Sequence, residues 1–358
     1  MFTFTNVIHI IIIFQGVLLA LYILASNPKK NKADQFLALI IGTMALQVLG
    51  LFLANRGIGQ SFFQSANCAY GFLYGPLLLL YIKHLTQRHF VFSTKQLLHM
   101  LPFLGMCIGI LVTEGSLCQS EIYLVYVVHI LTYVFLCFLE VNRYKQVVRD
   151  NYSRLEWLNL GWLYWVFVVF CLIVLVDIAQ LVIFFVGYDS FLLENSVFIL
   201  MLIAINLLYF YGFTASRKPF GYSQDDLDFS AALSSRKRIN TTLDENQKLI
   251  EKLENHIKNE EPYKNFNLTI ATLADEIAIP KRKLSELIND HYDQNFVDFI
   301  NTFRISKAKE RFMNPIDQNE TILEVLYEVG FNSKSSFNSA FKKKTGITPS
   351  EFKSKFKP

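Results

Sequence analysis

Long apolar runs fill the front of the chain and then stop. Seven stretches, at residues 7–24, 36–53, 62–82, 97–112, 122–141, 160–186 and 196–213, consist largely of Ile, Leu, Val, Phe and Ala. A helix needs about 20 mostly apolar residues to cross the hydrocarbon core of a bilayer. The pattern therefore predicts seven membrane-crossing helices, the fourth short and the sixth long, with six or eight crossings as the alternatives. Past residue 213 the runs give way to apolar residues at helical spacing, separated by charged and polar ones. Residues 214–241, with Pro219, Gly221 and several serines, read as a flexible linker. Three segments follow: 1–213 in the membrane, 214–241 connecting, and 242–358 a water-soluble helical module. The expected class is all-α.

Composition agrees: 52% of the 358 residues are hydrophobic and 18% charged, which fits a large bilayer-embedded part. The net charge of +4 names no partner, but its distribution sets an orientation. The connections at 25–35, 83–96 and 142–157 carry Lys29, Lys30, Lys32, Lys83, Arg88, Lys95, Arg143, Lys145, Arg149 and Arg154, whereas the alternate connections carry only Arg56. By the positive-inside bias the N-terminus lies outside, and seven crossings leave Thr214 and all that follows in the cytoplasm. Residues 1–6 lack Lys and Arg, so the first run reads as a retained span and not a cleaved signal. The implied location is a bacterial cytoplasmic membrane.

Polar residues interrupt the spans at Gln15, Gln47, Asn67, His129, Asp177, Gln180 and Asn206. At about 1.5 Å rise per residue, all fall between the outer third and the middle of the bilayer. Their shared depth suggests an outward-facing stimulus pocket formed by Gln47, Asn67, His129, Asp177, Gln180 and Asn206, with His129 and Gln180 as partners for the Asp177 carboxylate. Hydrogen bonding between helices is the competing role. Cys68, Cys107, Cys137 and Cys171 lie in apolar runs and Cys118 in a connection. Their spacing matches no metal site, so neither metal nor cofactor is expected. A bridge from Cys118 to Cys68 or Cys107 competes with the commoner arrangement of buried free thiols.

In the last segment, Thr242 with Glu245 predicts a capped helix to about Asn259, its stripe of Leu243, Ile250, Leu253 and Ile257 packing on the module or on a second copy. Ile270, Leu273, Ala274 and Ile277 mark a helix, and Pro280 opens another buried through Leu284, Leu287 and Ile288. That second helix offers Lys281, Arg282, Ser285, Glu286 and Asn289 on its other side, the layout of a helix that enters the major groove. A longer helix from about Phe296 to Met313 leads to a second such pair. There Thr321 with Glu324 forms a capping box, Gly330 makes the turn, and Lys334, Ser335, Asn338, Ser339, Lys342 and Lys343 oppose buried Phe337 and Phe341.

These residues resemble the AraC/XylS family of bacterial transcription regulators over about 243–356. The resemblance rests on Glu328-Val329-Gly330-Phe331-Asn332-Ser333, Phe337, Phe341 through Pro349, Phe296-Val297-Asp298-Phe299-Ile300-Asn301 and Arg304-Ile305. It implies two helix-turn-helix units on one rigid helix, reading successive major grooves. It also implies base contacts by Arg282, Ser285 and Glu286 in the first unit and by Lys334, Ser335 and Ser339 in the second. Ser339 stands where the family commonly has arginine, and Leu326 replaces a small alanine, which predicts weaker reading or a more open crossing in the second unit.

The combination suggests a one-component regulator whose membrane half senses a stimulus, or merely tethers the DNA-binding half. Its partners would be double-stranded DNA, the lipid bilayer and an unknown stimulus ligand, with a homodimer and RNA polymerase as further candidates. A transporter or channel with a cytoplasmic regulatory tail is the other class. No phosphate loop, nucleophile elbow or metal-ligand helix points to an enzyme.

Overall fold

The computed structural model describes residues 3–26, 31–88, 90, 94–113, 120–153, 160–186, 191–216, 221–234, 243–317 and 320–356. Among them the chain is all-α, with no strand and an isolated antiparallel bridge between Tyr152 and Thr269. It divides into two units: residues 1–142 with 160–221, and residues 143–159 with 222–358.

The first unit holds seven helices long and apolar enough to cross a membrane. They are α1 (Phe4–Ala25), α2 (Lys32–Ala54), α3 (Gln60–Thr86), α4 (Leu101–Val112, which reaches crossing length together with the helical residues 94–100 before it), α5 (Ser120–Asn151), α6 (Trp162–Val186) and α7 (Phe191–Leu207). A π-helical turn, Leu208–Phe213, extends α7. α2 packs between α1 and α3, α4 lies along α3, and α7 lies along α6 and α1. Phe14, Leu111, Leu124 and Leu175 remain exposed on the outer faces, an arrangement that hydrocarbon tolerates and water penalises.

α3 and α5 meet at Gly71 and Gly75, where the Tyr126 and Tyr133 rings lie on bare backbone. A Cβ at Gly71 would fall 2.4 Å from Tyr126 Cε2, and one at Gly75 2.6 Å from Tyr133 Cβ. The four-residue spacing puts both glycines on one helix face, the small-residue contact common between membrane helices. Cys68 is disulfide-bonded, in place of the expected buried thiol, while Cys107, Cys137 and Cys171 are free. Cys118 lies outside the described residues.

α5 has 32 residues, about 48 Å at 1.5 Å each, against a hydrocarbon core of about 30 Å. The helix therefore runs on past the expected crossing at 122–141, and Arg143–Asn151 group with the second unit. The expected flexible linker is also corrected: Gln224–Ser234 form a helix, α8, with Tyr222 and Ser230 buried. Thr242, the expected cap of the next helix, and residues 217–220 lie outside the described residues.

The rest of the second unit comprises α9 (Leu243–Glu260), α10 (Ile270–Glu276), α11 (Lys281–Tyr292), α12 (Phe296–Met313), α13 (Ile322–Glu328), α14 (Lys334–Thr345) and α15 (Pro349–Ser354). Two cores share α12. Its first half contributes Phe296, Phe299 and Ile300 to a cluster with Leu253, Ile257, Leu273 and Leu284. Its second half contributes Ile305, Ala308 and Phe312 to a cluster with Leu326, Phe337 and Phe341. The stripe on α9 is thus spent on its own unit. Leu326 is fully buried, so the larger side chain fills the crossing instead of leaving it open.

Candidate nucleic-acid interface and a cavity among the apolar helices

Both helix pairs are set by local signals. Thr269 caps α10 by accepting from the Thr272 N–H, and Ala278 takes φ 49° in the turn before Pro280 opens α11. In the second pair, Thr321 and Glu324 form a full capping box, Gly330 turns at φ 90°, and Ser333 caps α14. A side chain at Gly330 would strike the Tyr263 carbonyl at 2.4 Å, so only glycine fits there.

The two recognition helices differ in what they present. On α14, Lys334, Ser335, Ser339, Lys342 and Lys343 are exposed and Asn338 half-buried, opposite buried Phe337 and Phe341. Lys343 donates to Asp298 Oδ1 at 2.8 Å, and Lys342 extends the basic end. This face fits a phosphate-lined groove with base edges at its floor.

On α11, Asn289 is exposed, but most of the expected readers are engaged within the unit. Lys281 lies 3.7 Å from Asp226 of α8, with its ammonium 4.0 Å from the Phe229 ring centroid. Burial holds that ammonium below its ordinary pKa, with Asp226 acting the other way. Arg282 donates to Glu286 at 3.1 Å, and Ser285 is 4% exposed. Lys283 is buried and donates to Asn246 Oδ1 at 2.5 Å.

Asp226 is itself fixed by the segment that ends α5. Tyr152 donates its hydroxyl to Asp226 Oδ2 at 2.7 Å, and Asn151 Nδ2 donates to the Asp226 carbonyl at 3.3 Å. The Ser223 N–H and hydroxyl donate to the same carboxylate oxygen at 3.0 and 2.9 Å. Burial alone would raise the Asp226 pKa, but these donors and Lys281 hold it below the usual value. Ser230 of α8 donates to Asp150 at 2.5 Å.

Sequence reasoning named Arg304 of α12 only as part of the family resemblance and gave it no role. It is 2% exposed. Its guanidinium donates to the carbonyls of Tyr263 at 2.7 Å, Asn265 at 2.9 Å and Ser153 at 3.0 Å, and to the Ser153 hydroxyl at 3.1 Å. The Ser153 N–H donates in turn to the Leu268 carbonyl at 3.1 Å. One buried arginine thus binds the end of the α5 segment to the helix that joins the two DNA-reading pairs. The available signal was its position in line with apolar Ile300 and Ala308, where an exposed basic residue would be out of place.

In the first unit a cavity of about 320 Å³ lies among α2, α3, α5, α6 and α7. Of the expected pocket residues it brings together Gln47, Asn67, Asp177 and Gln180, but neither His129 nor Asn206 lines it. Asn206 accepts from Gln15 at 2.9 Å, and the His129 ring lies tilted against Phe72 and Tyr133 with both ring nitrogens unpaired among the described residues. Asp177 is instead approached by the Tyr126 hydroxyl, at 3.4 Å. Gln47 donates to Asn67 at 2.6 Å and accepts from Tyr74, and Gln180 donates to the Leu193 carbonyl at 2.8 Å.

Residues 273–355 match the family model described as a helix-turn-helix domain. The chain is also similar to a protein of Pseudoalteromonas carrageenovora described as an uncharacterized HTH-type transcriptional regulator in the cgkA 5' region. The two are 26% identical over 133 residues, 37% of this chain and 72% of the relative. No solved structure matches.

Proposed function

We propose that this chain, whose C-terminal part is an AraC-type helix-turn-helix domain, regulates transcription while anchored in the bacterial cytoplasmic membrane. Its N-terminus lies outside and its DNA-reading unit in the cytoplasm. The apolar outer faces of the first unit and the ten-to-one basic asymmetry of the connections support this reading. So does the disulfide at Cys68, which falls in the outer part of α3 under this orientation, where an oxidising compartment would preserve it.

The membrane half acts as a sensor through the segment that follows its fifth crossing. The observation that carries this is the course of α5, whose last turns belong to the DNA-reading unit. Asn151 and Tyr152 hold Asp226, Asp226 and Phe229 hold Lys281, and Arg304 holds Ser153. A shift of α5 would pull on the acidic helix α8 and release Lys281 to a DNA phosphate. The described form is the restrained state, with α14 presented and α11 covered. Arg282, Ser285, Glu286 and Asn289 read bases only after that release.

The test is a transcriptional reporter driven by the operator, with full-length protein and a compartment-sensitive tag after Pro358. A cytoplasmic signal together with reporter output that Tyr152→Phe raises supports the proposal. A periplasmic signal refutes the topology, and output unchanged by Tyr152→Phe refutes the restraint.

A further inference from the structure

We propose that the cavity in the first unit binds a hydrophobic amine, an alkyl or aryl chain bearing one ammonium group. The inference rests on reading the membrane half as a sensor and supplies the class of its ligand. The volume of about 320 Å³ lies at the lower end for small-molecule sites, large enough for a single chain or a small ring system.

The lining determines the chemistry. Among its described residues Asp177 is the one carboxylic acid, and none is Lys, Arg or His. The other polar groups are largely committed: Tyr74 to Gln47, Gln47 to Asn67, and Gln180 to a backbone carbonyl. Among the described residues Asp177 has only the long 3.4 Å approach of Tyr126, whose ring is seated there by the bare backbone of Gly71. A carboxylate at membrane depth needs a counter-charge, a proton or water. An ammonium group supplies the counter-charge.

Aromatic faces add to this selection. Tyr74, Tyr126, Phe170 and Phe198 all line the cavity, and the negative face of an aromatic ring attracts a cation more strongly once water is excluded. An anionic ligand such as a fatty acid would meet Asp177 with no basic residue to balance it. A sugar would find too few uncommitted hydrogen-bonding groups. Amine recognition uses the carboxylate, the rings and the apolar walls together.

The experiment places purified full-length protein in nanodiscs and titrates three chain-matched probes, decylamine, decanol and decanoate, following the thermal unfolding midpoint. Decylamine is expected to raise the midpoint at concentrations about tenfold below those decanol requires, and decanoate to have no effect. Asp177→Asn should abolish the preference for the amine, and Asp177→Glu should retain it. Equal responses to amine and alcohol, any preference for decanoate, or an amine preference that survives in Asp177→Asn overturns the proposal. The probe series on unmodified protein decides the matter even if Asp177→Asn does not fold.

Reporter transcription separates this inference from the sensor reading. Amine binding that depends on Asp177 but leaves transcription unchanged upholds the ligand class and removes the sensor role. Output that responds to Asp177→Asn while the protein shows no amine preference keeps the sensor and removes the ligand class.

Discussion

The recognition helices α11 and α14 each have 12 residues and each follow a short helix and a tight turn, yet one is covered and the other open. The open helix packs within its own pair and against α12 and α15. The covered one has gained an outside neighbour: α8, an acidic helix that follows the last apolar helix and is fixed by residues at the end of α5. The difference teaches that the reading surface of a helix-turn-helix pair depends on what the rest of the chain lays across it. Here the covering element is built from α8 and the segment that ends α5, so under the proposed function covering and sensing would share a physical route.

The largest effect is expected at Arg304, which anchors that route. Arg304→Ala leaves three buried carbonyls without their donor and should destabilise the DNA-reading unit by roughly 3–5 kcal/mol. Hydrogen exchange on full-length protein should show faster opening of α12, and of α8 and α11 with it. Loss of protection confined to α12 would separate the clasp from the covering of α11.

Next is Lys334→Ala on the open helix, expected to weaken specific operator binding about 10- to 100-fold. Lys281→Ala on the covered helix should cost much less, because its ammonium is already engaged. Gel-shift titrations at fixed salt compare the two, and equal losses would mean that both helices read DNA in the described state.

A gain of about three- to tenfold in operator affinity is expected from Asp226→Asn, which removes the charge that competes with phosphate for Lys281. In that background Lys281→Ala should cost more than it does in the unmodified protein, a coupling that a double-mutant cycle reads directly. The smallest effect is that of Lys343→Ala. Its exposed pair with Asp298 is worth under about 1 kcal/mol, and its loss should lower the salt slope of binding by about one phosphate contact.

Much of this was legible in the order of residue types. The seven long apolar helices, the 18-residue joining helix from Phe296 to Met313, the capping box at Thr321, and the buried faces of α11 and α14 all follow from periodicity and cap chemistry. These are signals carried by residues three or four apart. The restraint on α11 was not legible, because Asp226 and Lys281, or Ser153 and Arg304, are far apart in sequence and meet only when the chain has folded. Composition also misled over 214–241, where the polarity of a linker masked the three-turn helix placed by Phe229 and Ser230. In the cavity, depth along each helix was legible but rotation about its axis was not. His129 and Asn206 share the depth of Asp177 and yet do not line the cavity.

The most direct test is a footprint of full-length protein in nanodiscs on an operator mapped in cells, for the unmodified chain and for Asp226→Asn. The account predicts protection of one major-groove segment by the unmodified protein, and of two segments about 10 base pairs apart by the variant. Two equally protected segments in both proteins would contradict it.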